Sequence, residues 1–125
     1  MEVIKYQGRN VYTSSNSETT QRDLASSEAR TVVVEDAYFF ELDGERMPRK
    51  IDFDRDKIDK LNSGLNVEVK EGSEIGAVSI VGLERIVSFM CDLGCIGKDL
   101  STLKGRQVVA YVLGNMKLLG IAPVP

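Results

Sequence analysis

A chain of 125 residues, 42% hydrophobic and 28% charged, with a formal net charge of −3, is long enough for one self-sufficient core, and residues 1–125 are expected to form a single domain. That balance argues against coating nucleic acid or an anionic membrane surface, and no apolar run approaches the ~20 residues of a membrane span. Histidine is absent, which removes the commonest general acid–base and the commonest metal ligand together.

The opening residues, MEVIKYQGRN, lack the basic start and long apolar centre of a secretory signal. Two cysteines without such a signal lead us to expect a reducing, cytoplasmic setting. Val3 to Tyr6 and Val11 to Thr13 have the pattern of two short strands joined through Gln7, Gly8, Arg9 and Asn10. Residues 14–30 break that pattern, with only Leu24, Ala25 and Ala29 apolar. Their composition is that of a polar arm or long loop. The capping-box spacing of Ser15 and Glu18 supports a marginal helix instead.

From Thr31, VVV and then AYFFEL predict a strand ending at Asp43-Gly44, a hairpin signal. A two-residue turn there pairs Glu41 with Arg46 and Phe40 with Met47. One face then carries Val34, Tyr38, Phe40, Leu42, Met47, Ile51 and Phe53, and the other Glu35, Glu41, Arg46, Lys50, Asp52 and Asp54. Asp36 and Arg49 fall on the apolar face with no place there. Pro48 cannot donate to a ladder, so the returning strand belongs at an edge or a bulge. Asp54 to Leu61 predicts a short helix. Leu65 to Lys70 alternates as a strand with Val67 and Val69 on one side, Glu71-Gly72 turns it, and Ile75 to Val81 is a further apolar segment.

Leu83, Ile86, Val87, Met90 and Leu93 recur at helical spacing opposite Glu84, Arg85, Ser88 and Asp92, and Gly94 stands where a left-handed C′ residue would end the helix. Gln107 to Leu113 and Met116 to Ile121 flank Gly114-Asn115, whose leading glycine marks a type II′ hairpin. That turn pairs Leu113 with Met116 and Tyr111 with Leu118. Neither face of this hairpin alternates with polar residues, so both need cover. The helix supplies one cover, and a second sheet or a second subunit must supply the other.

The expected fold is therefore α+β: about seven short, mostly antiparallel strands, partly closed into a barrel or sandwich, with one main amphipathic helix at about 83–93. Chemistry is sparse. Asp52, Asp54 and Asp56 lack the glycine and glutamate of a calcium loop, since Lys57 and Ser63 stand at those positions. Cys91 and Cys95 cannot complete a four-ligand zinc site and have no histidine to activate them, so both are expected to be free, buried and apolar in role. No metal site, cofactor or catalytic residue is assigned. The favoured reading is a non-catalytic interaction or structural module that self-associates, through Val108, Val112, Leu119 and Ile121. The alternative is a weak single-stranded nucleic-acid-binding module, with Phe39 stacking on bases while Arg46, Arg49 and Lys50 meet phosphate. No membrane partner is expected, and a small-molecule ligand is left open.

Overall fold

The computed structural model describes residues 3–14, 21–42, 48–51, 63–95, 100–114 and 117–124. The capping-box pair, the Asp43-Gly44 turn, Arg46, the Asp52–Asp56 triplet and the expected helix over Asp54 to Leu61 lie outside those residues. The architecture is α+β and mostly antiparallel, with eight strands among the described residues. β1 (Ile4–Tyr6) and β2 (Arg9–Val11) form a two-stranded ribbon. The short helix α1 (Gln21–Ser26) follows. The remaining strands are β3 (Glu28–Leu42), β4 (Pro48–Ile51), β5 (Ser63–Glu71), β6 (Glu74–Ile80), β7 (Gln107–Leu113) and β8 (Lys117–Pro123). The main helix, α2 (Leu83–Asp92), stands between β6 and β7.

β3 organises the molecule. Its 15 residues pair along one edge with β5 and along the other with β7 and then β4, giving the order β6-β5-β3-β7-β8 with β4 beside β7 on β3. The sheet curls until its end strands meet. A methyl group placed on Gly76 of β6 would sit 3.0 Å from Leu118 Cδ2 of β8, so a glycine is what lets them approach. The result is a half-barrel with a concave inner face and a convex outer one.

The face assignment of β3 departs from simple alternation. A β-bulge between Val34 and Asp36 inserts an extra residue, and a shift of one residue reverses which side chains point inward. Val32 and Val34 face the core before the bulge, and Ala37 and Phe39 after it. Asp36 is thereby turned outward, where Lys104 (3.6 Å) and Lys50 (3.9 Å) flank its carboxylate. Its place, unexplained by the sequence pattern, is explained by the bulge. The β3–β4 register also differs from expectation: Phe40 pairs with Lys50, Glu41 with Arg49 and Leu42 with Pro48. Pro48 does begin a strand whose one neighbour among the described residues is β3.

α2 begins and ends close to the expected positions, but its buried stripe is rotated. Ile86, Phe89 and Leu93 are buried along with Arg85, whereas Val87 is 46% exposed. Gly94 adopts φ +69°. Its N–H donates to the Cys91 carbonyl and the Cys95 N–H to the Met90 carbonyl, the paired bonds of a Schellman end. Cys95 is buried and Cys91 is exposed, both unbridged. The expectation that both are buried therefore holds for Cys95 alone.

Both faces of the β7–β8 hairpin are covered within the chain. Val108, Ala110 and Ile121 join the inner core with α2 and Tyr12. Val109, Tyr111, Leu119 and Ala122 pack outside against Val11 of the ribbon and Leu24 of α1. The second sheet supplies the missing cover, so the observation that suggested self-association through Val108, Val112, Leu119 and Ile121 is removed. Within the described part of the 14–30 segment, α1 seats Leu24 on the sheet, Gln21 Nε2 donates to the Lys5 carbonyl at 2.6 Å, and Glu28 to Arg30 open β3. The β7–β8 register is also longer by one residue, then by two across a bulge, pairing Leu113 with Lys117 and Tyr111 with Gly120.

Candidate ligand cleft

The two ends of the half-barrel are treated differently. At one end, residues 12–14 run from β2 into the gap between β8 and β6. Tyr12 exchanges backbone hydrogen bonds with Ile121 (2.8 and 3.0 Å), and Ser14 Oγ accepts from the Ser79 N–H of β6 at 3.1 Å. Gly120 makes room for this crossing, since a Cβ there would lie 2.8 Å from the Tyr12 carbonyl oxygen. Arg85 reaches from α2 and donates to the Thr13 carbonyl and, at 3.4 Å, to that of Val81. Burial favours the neutral form of this guanidinium and lowers its pKa, so the two carbonyls replace lost hydration.

Tyr12 completes the plug. Its ring is fully buried, edge-on to Phe89 at 5.1 Å. Its hydroxyl donates to Asp92 Oδ2 at 2.5 Å and lies 2.8 Å from Ser88 Oγ, and Asn10 Nδ2 donates to the same carboxylate oxygen at 3.1 Å. Burial, then the Asp92 hydrogen bond, push the phenol up to about 12. A raised pKa keeps the Tyr12 hydroxyl protonated as a donor, so this cluster ties β2 to α2.

Among the described residues, the other end is open. Arg30, Val32, Val69, Glu71, Glu74, Gly76, Ala110, Val112 and Leu118 line a cleft of about 310 Å³ on the concave face. The inward alternation of β3 places Arg30 and Val32 there, β5 adds Val69 and Glu71, and β7 adds Ala110 and Val112. Two small residues, Gly76 and Ala110, keep the floor low. The floor is aliphatic and the charges stand at the mouth. Arg30 Nη2 donates to Glu28 Oε2 at 3.0 Å, and Nη1 lies 3.7 Å from Glu71 Oε2. The hydrogen bond and charge of Glu28, with Glu71 and Glu74 beyond, raise the Arg30 pKa.

Of the residues proposed from sequence to bind nucleic acid, Phe39 and Lys50 do not come together. Phe39 is 7% exposed and belongs to the inner core, so its ring offers no stacking platform. Lys50 shares the face of its partner Phe40, stands 4.6 Å over the Tyr38 ring and lies beside Asp36. Arg49 pairs in register with Glu41. The aromatic and the lysine are thus on opposite sides of the sheet. Of the four self-association candidates, Val108, Leu119 and Ile121 are buried, and Val112 alone contributes to the cleft. Sequence reasoning missed Arg30, Glu71, Glu74 and Gly76. The signal was the alternation Glu28, Arg30, Val32, Val34, which continues the inward positions of β3 back into the segment assigned to a polar arm.

Among the described residues, no three histidine, cysteine or acidic side chains are grouped to hold a metal ion, and no helix is long and apolar enough to cross a membrane. The fold and site define a class: an α+β half-barrel that, among the described residues, is plugged at one end and open at the other. No family model matches the sequence, and no curated protein or solved structure is significantly similar to the chain.

Proposed function

We propose that this protein is a non-catalytic binding module whose ligand enters the open end of the half-barrel. One observation carries the reading: α2, Tyr12 and residues 12–14 fill the concave face at one end, and nothing among the described side chains fills it at the other. A preformed concavity of about 310 Å³ with an aliphatic floor and a few polar groups at its rim is the usual form of a small-molecule site. A ligand burying ~100 Å² of apolar surface there gains ~2.5 kcal/mol, so small fragments are expected to bind at roughly ten millimolar. The unbridged cysteines support a reducing, cytoplasmic location. Methyl NMR during titration with neutral aliphatic fragments tests the proposal. Saturable shifts at Val32, Val69, Val112 and Leu118 are expected; shifts confined to Leu83 and Val87 on the outer face of α2 would refute it.

A further inference from the structure

The mouth of the cleft is not electrically neutral. Glu71 and Glu74 line it with Arg30, and Glu28 holds Arg30 at 3.0 Å from beside the lining, so three carboxylates stand against one guanidinium among these side chains. Arg30 is already engaged on both sides, by Glu28 and by Glu71. An anionic ligand would have to displace one carboxylate and then lie beside the others, whereas a cation would meet them directly. Below the mouth, Val32, Val69, Ala110, Val112 and Leu118 accept no hydrogen bond through their side chains. Resting on the binding reading above, we infer that the ligand is a small amphiphilic amine, with an aliphatic body on the floor and an ammonium or guanidinium head between Glu71 and Glu74.

The fit follows from charge and shape together. The floor rewards area and is indifferent to charge, while the rim discriminates by sign, because like charges at close quarters disfavour the wrong partner. A neutral analogue of the same body keeps the first contribution and loses the second. A carboxylate analogue keeps the first and meets repulsion.

The probes are n-hexylamine, n-hexanol, hexanoate and Nα-acetyl-lysine amide, titrated separately into the full chain at neutral pH and followed by methyl NMR. Hexylamine is expected to move the Val32, Val69, Val112 and Leu118 resonances saturably, at roughly one tenth of the hexanoate concentration. The double variant Glu71→Gln, Glu74→Gln is expected to weaken hexylamine several-fold and leave hexanol unchanged. Both side chains are exposed, so the variant should fold. Hexanol or hexanoate binding as tightly as hexylamine overturns the cationic assignment and leaves the cleft reading standing. Lysine amide saturating below hexylamine makes the occupant a partner's side chain and overturns the small-molecule assignment. If none of the four moves the cleft methyls, the binding reading fails with it.

Discussion

Phe39 shows how one residue can be legible in kind and wrong in direction. Its aromatic, strand-forming character is plain, and its side of the sheet is decided by the bulge at Val34–Asp36, which no local pattern announces. As a core residue at 7% exposure, Phe39→Ala is expected to cost ~3–5 kcal/mol in chemical denaturation. Tyr12 makes a second prediction. Its folded pKa of about 12 lies above the unfolded value of ~10. Its contribution is therefore fully present below pH 10 and is lost as pH rises toward and through 12. The full effect is bounded at roughly 3 kcal/mol and is reduced by solvent screening at the exposed Asp92 carboxylate. Tyr12→Phe is expected to be less stable by ~1–2 kcal/mol near neutrality. Because phenylalanine does not ionise, the gap should narrow between pH 10 and 12 in parallel unfolding curves.

The elements were more legible than their pairings. Strand and helix existence follows from periodicity that survives small errors of position, and α2, the β5–β6 hairpin and the β7–β8 hairpin all appear close to their expected bounds. Register depends on loops and bulges instead, and both β3–β4 and β7–β8 slipped relative to the simplest turn. The stripe of α2 departs from the pattern of apolar residues because Arg85, polar by type, is buried. Its head donates to backbone carbonyls inside, where Val87 would have found no such partner. Gly120 is the sharpest test at this scale. An added methyl would face the Tyr12 carbonyl oxygen, Val11 Cγ1 and Thr13 Cγ2 at 2.8 to 3.0 Å. Gly120→Ala is expected to lose ~1–3 kcal/mol and to deprotect the Tyr12 and Ile121 amides in hydrogen exchange. Unchanged protection would mean that residues 12–14 do not cross β8 as described.

For the whole molecule, the sequence posed the right problem: an apolar hairpin with two faces to cover. It could not say that the β1–β2 ribbon and α1 cover the outer face, because residues 14–30 are too polar to advertise a packing role beyond Leu24. With the covers supplied internally, sedimentation at micromolar concentration is expected to show a monomer; a dimer disrupted by polar substitution at Val112 or Leu118 would assign the open end to a second copy. The cleft itself was invisible, since it is made by residues from five strands and exists through what is left unfilled. Val112→Phe tests that emptiness most directly, with no knowledge of the ligand. If the open end is a preformed site, the larger ring lodges in the cleft, denaturation stability stays within about 0.5 kcal/mol of the parent, and fragment-induced methyl shifts at Val32 and Leu118 disappear. A loss of ~1–3 kcal/mol, the signature of overpacking, or fragment shifts that persist unchanged, would contradict an open binding cleft at this end of the half-barrel.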